Sequence, residues 1–431
     1  MRKLKALLAS ITALSCLCAG CLLIAEQIPP MHSIFASAEE IATSGTCGEN
    51  LTWNFEESTG ILTISGTGAM ENWDISLLPG WFDLCKDIKK IIIEDGVTAI
   101  GSCAFWECTA LESITIPNSV TAIGWSAFYF CTALESIIIP DSVTVIGRSS
   151  FYDCTALASI TIPDSVTTIG ELAFRSTPWL KIKQNENPFV IINGILIDAT
   201  TCEQEEIMIP DSVTTIGYDA FRGCSALKSI IIPDSVTTIG DYAFSGCTAL
   251  ASITIPDSMT TIGKSAFFDT PWLKTKRNEN PLVIINGILI DGTTCKGDIV
   301  IPDSVISIGD SAFYSWESLT SITIENPECE IYDNEYTISD TATIYGYDNS
   351  TAQAYAEKYE RNFVSLGTAP EILTGDANKD GEFNILDVIV LQKWLLGAGT
   401  LPNWKAVDFN QDGMITIFDF VLAKKYYLER N

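Results

Sequence analysis

Between residues 93 and 324 the apolar and polar positions repeat one phrase, Leu-x-Ser-Ile-x-Ile-Pro-Asp-Ser-Val-Thr-x-Ile-Gly-x-x-Ala-Phe. Its proline stands at 117, 140 and 163, then at 210, 233 and 256, then at 302, with Glu94 in the same register ahead of them. The step is constant within each of these runs and doubles between them, where a degenerate coil intervenes. Those two stretches, Thr177-Pro-Trp-Leu through Ile209 and Thr270-Pro-Trp-Leu through Ile301, are near copies of each other, so a four-coil block has been duplicated. A unit this short cannot bury its own apolar side chains, so successive coils must stack around one continuous core. Leu111, Ile114, Ile116, Val120, Ile123 and Phe128 illustrate the inward set. Leu-x-x-Ile-x-Ile predicts a strand that Pro terminates, and Gly with Ala-Phe predicts the return turn.

Both ends of such a stack need caps. Residues 39–92 lack the phrase but hold strand-like runs such as Ile61-Leu-Thr-Ile-Ser65, which suits a β cap at the N-terminal end. In 325–366, Ser350 to Tyr359 reads as a helix and Phe363 to Leu366 as a strand, an α/β cap. Residues 367–374, with Pro370, form a linker too short to hold the last segment, 375–431, far from the stack.

That last segment changes pattern. Asp376, Asn378, Asp380, Asn384 and Asp387 occupy positions one, three, five, nine and twelve of a loop with Gly381 at the sharp turn and the Glu382 carbonyl at position seven. Asp408, Asn410, Asp412, Thr416 and Asp419 repeat this with Gly413 and the Met414 carbonyl. Oxygen donors so spaced suit two Ca2+ ions, hard cations that take six to eight oxygens. The offset of 32 continues past the loops, pairing Ile385 with Ile417, Leu386 with Phe418, Ile389 with Val421 and Lys393 with Lys425. Each loop therefore runs into a predicted helix, 385–396 and 417–428. Leu386 and Phe418 are adjacent to Ile385 and Ile417, so the four cannot all share one buried helical face.

The tail resembles the type I-like dockerin module of cellulosomal proteins over residues 375–431. That resemblance implies calcium-dependent folding and docking onto a cohesin domain of a scaffoldin, with near-twofold symmetry that permits two orientations. Ile385, Leu386, Ile389, Lys393, Ile417, Phe418, Val421, Lys424 and Lys425 are the implied partner-binding residues. Many dockerins carry a Ser/Thr pair at the tenth and eleventh loop positions, where this chain has Ile385-Leu386 and Ile417-Phe418. The repeats resemble the BspA-like, treponemal type of leucine-rich repeat found in bacterial surface proteins, some of them adhesins. The fold class expected is a β-rich leucine-rich-repeat solenoid of 23-residue coils with a β N-cap and an α/β C-cap, joined to a small all-α calcium-binding dockerin domain.

Residues 1–38 read as a secretory signal: Arg2, Lys3 and Lys5, an apolar run from Leu7 to Ala25, and Ala36-Ser37-Ala38 before Glu39-Glu40. A lipoprotein reading through Cys21 is the lesser alternative, because Cys18 stands where Leu is expected. Cleavage after Ala38 shifts the net charge from −29 to about −31 and removes His32, the only histidine. Such a charge disfavours nucleic acid and anionic membranes, and without histidine only carboxylate chemistry is left as an enzymatic route. No other stretch is apolar and long enough to span a bilayer. Eleven cysteines then remain. Cys108, Cys131 and Cys154 recur at the step of the repeat, as do Cys224 and Cys247, which predicts a row of small buried hydrophobes. Cys47 with Cys85 is the best candidate for one disulfide.

Three surface rows invite a ligand. Glu112, Ser113, Thr115 and their counterparts give the strands a small-chained outer face. Trp106, Trp125, Tyr129, Phe130, Tyr152, Tyr218, Tyr242, Tyr314 and Trp316 cluster beside the return turn. Asp141, Asp164, Asp211, Asp234 and Asp257 follow the prolines, where a turn with Asp or Ser bonded to nearby amides is favoured over a cation ladder. Repeats, caps and tail account for nearly every residue from 47 onward. The function expected is therefore a secreted, non-catalytic binding or adhesion subunit, docked to a cellulosome scaffoldin in a polysaccharide-degrading context, with a glycan or protein ligand on the solenoid. The alternatives are a carboxylate-based glycoside hydrolase component and a surface protein that binds host proteins or proteases.

Overall fold

The computed structural model describes residues 41–314, 319–369, 373–410 and 414–430. The stretch expected as a signal sequence, with His32, and also Trp316, Pro370, Asp412 and Gly413 lie outside the described residues. The chain divides into Met1–Ala42 and Thr43–Asn431, and the second unit holds everything that follows.

Each phrase forms two short strands, not one. Leu-x-Ser-Ile-x gives Ser113–Thr115, Ser136–Ile138 and Ser159–Thr161, and Val-Thr-x-Ile gives Ala122–Ile123, Val145–Ile146 and Thr168–Ile169. Both sets pair in parallel with the matching positions of the adjacent coil, as in Ile137 with Ile160 and Val145 with Thr168. The β-branched residues at these positions fit a pleated, half-buried surface. Between the strands the Val143 amide donates to the Pro140 carbonyl at 3.0 Å, closing the turn. The side-chain bonding expected here is different: Ser142 Oγ donates to the Val120 carbonyl at 2.6 Å and Ser165 Oγ to that of Val143 at 2.8 Å. The serine thus ties its coil to the one before, while Asp141 and Asp164 stay exposed.

The return turn carries a third ladder. Ser126, Phe130, Ser149 and Asp153 have φ of 52°, 60°, 51° and 55°, a left-handed conformation costing on the order of 1–2 kcal/mol for a residue with a Cβ. It points alternate amides along the stack: Ser126 N reaches the Arg148 carbonyl at 2.8 Å, Phe128 N that of Ser150 at 2.8 Å and Phe130 N that of Tyr152 at 2.9 Å. These bonds satisfy buried backbone groups that have no other partner in so tight a turn.

Inside, one phenylalanine per coil stacks on the next. Phe128 and Phe151 are 5.2 Å apart at 3°, and Phe151 and Phe174 are 5.7 Å apart at 6°. A second column runs Phe221, Phe244 and Phe267. Each column ends on a tryptophan, Trp179 at 4.8 Å from Phe174 and Trp272 at 4.6 Å from Phe267.

The stretches expected as degenerate coils are helix-hairpin seams. Helix α1 spans Pro178–Glu186 and α2 spans Pro271–Glu279. Thr177 and Thr270 stand one repeat length after Cys154 and Cys247, and each hydroxyl accepts the third amide onward at 3.1 Å, capping a helix that begins with proline. Val190–Ile192 then turns back on Ile195–Asp198 through Asn193 and Gly194, both with positive φ. Asn-Gly between apolar runs is the sequence signature of such a hairpin. The second strand ladder ends at Thr168–Ile169 and restarts in this hairpin.

Strands β1 (Ser44–Gly48), β2 (Asn50–Glu56) and β3 (Ile61–Ala69) form an antiparallel meander whose last strand pairs with both Lys90–Ile93 and Val97–Ile100, so it starts both ladders at once. At the far end Thr343–Gly346 pairs with Phe363–Ser365, and helix α3, Thr351–Lys358, packs beside them. No helix among the described residues is long and apolar enough to cross a membrane.

The cysteine row is buried as expected, with Cys131 Sγ donating to the Phe105 carbonyl at 3.2 Å and Cys154 Sγ to that of Phe128 at 3.0 Å. Burial pushes the Cys154 thiol up to about 12. The Cys47–Cys85 pairing does not form. Cys85 stands one repeat length before Cys108, belongs to the row, and is disulfide-bonded to Cys108, whereas Cys47 is a buried free thiol. Thiol counting on denatured, unreduced protein lacking the signal sequence should return nine. Cys85→Ser should lower the stability of the first coils by about 2–4 kcal/mol, read as a lower urea midpoint, and eleven thiols with no such loss would reject the crosslink.

Candidate calcium loops, docking face and groove

In the tail, helices α4 (Ile385–Leu395), α5 (Trp404–Val407) and α6 (Ile417–Arg430) surround a core of Val388, Leu391, Val407, Phe420 and Ala423. Val388 and Phe420, and Leu391 and Ala423, are partners in the same offset that relates the two loops, so the duplication packs on itself.

Asp387 is both the last loop position and the third residue of α4. Its Oδ2 accepts the Asn384 amide at 2.8 Å and its Oδ1 the Asn378 amide at 3.1 Å, while Asn384 Oδ1 accepts the Leu386 amide at 2.8 Å. This reciprocal box caps the helix. Asp419 repeats it, accepting the Thr416 amide at 2.8 Å and the Phe409 amide at 3.0 Å. Asp376 Oδ1 and Oδ2 take the Asp380 and Gly381 amides at 3.1 and 2.9 Å, and Asp380 Oδ1 that of Glu382 at 2.9 Å. Gly381 has φ of 85°, as the turn requires.

Asp376, Asp387 and Asp419 are buried, and no ion pair reaches them among the described residues. A buried carboxylate without a cation is costly, so the donor chemistry fits a divalent ion. Among the described residues no three His, Cys, Asp or Glu side chains converge as a metal site, but half of each expected donor set is amide, hydroxyl or carbonyl oxygen. Asp376, Asn378, Asp380, Asn384, Asp387 and the Glu382 carbonyl would hold one ion. Asp408, Asn410, Thr416, Asp419 and the Met414 carbonyl, with Asp412 outside the described residues, would hold the other. The segment between the helices closes over the first loop, with Asn403 Nδ2 donating to the Asp376 carbonyl at 2.8 Å. Phe383 and Phe409 pack on Tyr426 at 5.3 and 5.5 Å. None of these supports was read from the sequence, although Phe383 and Phe409 lie inside the loops it singled out.

The helix faces carry the pairs Ile385 and Ile417, Leu386 and Phe418, and Ile389 and Val421, all exposed; Leu386 is 54% and Phe418 70% accessible. Lys393, Lys424 and Lys425 are exposed beside them. Lys424 lies over the Phe420 ring at 4.3 Å. Away from these residues in sequence, Lys379 pairs with Asp303, and Lys405 reaches Asn326 Oδ1 at 3.1 Å and Glu328 Oε2 at 2.5 Å, joining the tail to the end of the solenoid.

On the solenoid the expected aromatic row divides. Trp106, Tyr129 and Tyr152 form one half-buried stack, the tyrosines 5.0 Å apart at 11°. Trp125 and Tyr218 belong to another row, the position directly after each coil's Gly. This row also holds Arg148, Glu171, Asp241, Lys264 and Asp310, a different residue in almost every coil of an otherwise monotonous repeat. Arg148 Nε meets Glu171 at 3.1 Å, and Tyr218 hydrogen bonds to the same carboxylate. Farther along, a groove of about 700 Å³ runs over the second strand ladder from Thr238 to Tyr332 and ends against α3. The outer residues of the first ladder, such as Glu112, Ser113 and Thr115, are exposed as expected.

These features define a leucine-rich-repeat solenoid carrying a small calcium-loop module. Residues 77–194, 199–287 and 292–351 match the BspA type leucine rich repeat region in six copies, and the chain belongs to that family. Residues 374–428 match the dockerin type I domain, a calcium-binding module. The two together mark an extracellular or cell-surface protein. No curated protein matches. A leucine-rich repeat protein from Eubacterium ventriosum is 22% identical over 78% of this chain and 98% of its own, with a TM-score of 0.35. The T. pallidum leucine rich repeat protein is 21% identical over 53% and 91%, with a TM-score of 0.25. The pneumococcal vaccine antigen PcpA is 16% identical over 74% and 98%, with a TM-score of 0.30.

Asp376→Ala with Asp408→Ala should abolish calcium binding by calorimetry and the calcium-dependent gain of helical circular dichroism, since loop order and metal binding are linked. A double variant that still binds calcium as the wild type does would remove both loops from the site.

Proposed function

We propose that the chain is a secreted, non-catalytic binding or adhesion subunit that a dockerin loaded with two calcium ions delivers to a cohesin-bearing scaffoldin, in a polysaccharide-degrading setting. The observation carrying this reading is the twofold-repeated apolar and lysine face on α4 and α6. It stays exposed while Lys379 and Lys405 of the tail meet the solenoid. Exposed Ile, Leu, Phe and Val in matched pairs on a strongly acidic chain are a docking surface in search of a partner. Calcium held by these loops would have a structural role, balancing the charge of Asp387 and Asp419, whose carboxylates also cap the two helices.

Asp241 Oδ1 accepts the Lys264 amide at 2.7 Å, and Asp310 Oδ1 accepts Ser311 Oγ at 2.7 Å and Asn334 Nδ2 at 2.9 Å. These bonds hold one oxygen of each of these two groove acids.

Leu386→Glu together with Phe418→Glu should weaken binding to a cohesin by at least 100-fold in surface plasmon resonance with calcium, while either change alone costs much less if the two faces are interchangeable. Equal binding by the double variant, or binding by wild type in chelator, would defeat the docking reading.

A further inference from the structure

The repeat supplies its own control for recognising a binding surface. Coil after coil keeps the same Pro, Ser, Thr, Gly, Ala and Phe, because each serves a ladder or the core. The position after Gly serves neither: its side chain stands at the edge of the second strand ladder, half-buried or exposed, and changes from coil to coil. Aligning the duplicated blocks places Asp241, Lys264 and Asp310 where the first block has Arg148, Glu171 and Tyr218. The copies share their backbone, but along this row the first two positions invert their charge and the third replaces a tyrosine with an acid.

In the second block that row forms the wall of the groove. Its floor is the outward threonines Thr238 and Thr261 and the glycines between them, offering hydroxyls, methyls and bare backbone. Asp241 and Asp310 face the same space and repel each other, and burial first, then Asp310, pushes the Asp241 carboxyl above the ordinary range against the Lys264 amide. Tyr332, 53% accessible, adds an aromatic ring at the end near α3. Thr238 and Thr261 lie on paired strands about 4.8 Å apart, so their hydroxyls recur at the spacing of one coil, while Asp310 lies beyond the second seam.

We propose that this groove binds a neutral glycan chain, with Asp241 and Asp310 accepting sugar hydroxyls, Thr238 and Thr261 contacting the ring edges, and Tyr332 stacking on a terminal residue. Fixed carboxylates are strong acceptors for hydroxyl donors, and the exposed aromatic gives one apolar face. The groove is lined by Asp241, Asp310, Glu330 and Asp333 against Lys264 and Lys358, and this excess of acid rejects anionic polymers. Lys264 offsets Asp241 only in part, its ammonium lying over the Tyr314 ring at 5.9 Å. The inference rests on the reading of the solenoid as the binding part of the chain and adds the ligand class and its location.

The test is calorimetry on the full chain with cellohexaose, xylohexaose and mannohexaose, and with hexagalacturonate as the anionic control. At least one neutral hexasaccharide should bind, hexagalacturonate should not, and Asp241→Asn with Asp310→Asn should weaken binding by tenfold or more. Tyr332→Ala, at an exposed position that the fold does not need, should do the same with circular dichroism and cohesin docking unchanged. Binding of no neutral hexasaccharide, equal binding by the variants, or equal binding of hexagalacturonate overturns the groove. If the variants retain wild-type adhesion to fibres or to a protein, the groove fails and the binding reading survives; release of shorter sugars by the wild type defeats both.

Discussion

The fold depends on one constraint: every coil must present its backbone amides and carbonyls to the next coil at the same three places. Two ladders of short strands and the left-handed return turn meet that demand only if every repeat keeps the same length. A phenylalanine, a cysteine and a few aliphatics fill the space the ladders enclose, and none of them is buried by its own coil. The strained turn residues are tolerated because each aims an amide at a carbonyl one coil away. Length, strain and core are three expressions of the same registration.

This explains what could be read in advance. The positions of Pro, Gly and Phe gave the stack, its period and its buried face directly, since each has a single backbone or packing reason. The second strand was missed because Thr-x-Ile is too short for periodicity to reveal. The seams were missed for a different reason. Thr177-Pro178 and Asn193-Gly194 are strong helix and hairpin signals, but they sit inside a repeat whose dominance led them to be treated as decay of the pattern. Cys85 lies outside the phrase yet keeps its step, so its pairing with Cys108 follows from register and not from the nearest unassigned cysteine. In the tail, the exposed face was legible from spacing, whereas Asn403 and the Phe383, Phe409 and Tyr426 cluster depend on how the duplicated halves fold together.

The tail couples metal to partner through single side chains. Asp387 and Asp419 each hold a loop amide and cap a helix, and on the proposed reading would also offer oxygen to a cation, so the first turn of each helix cannot form independently of the loop before it. Immediately ahead of these aspartates stand the exposed apolar pairs, Ile385 with Leu386 and Ile417 with Phe418. Their direction is set by the same carboxylates.

The helix-hairpin seams carry a consequence for how such chains grow. Each seam ends one phenylalanine column on a tryptophan, sheds the running ladder and starts a fresh one, so a block between two seams is nearly indifferent to the number of blocks before it. The groove spans the second seam, from Thr238 to Tyr332, and ends on helix α3, downstream of which Lys379 and Lys405 hold the tail. Lengthening or shortening the solenoid upstream would change its reach while leaving the spacing between groove and docking helices untouched. The architecture is an extensible arm with a fixed wrist.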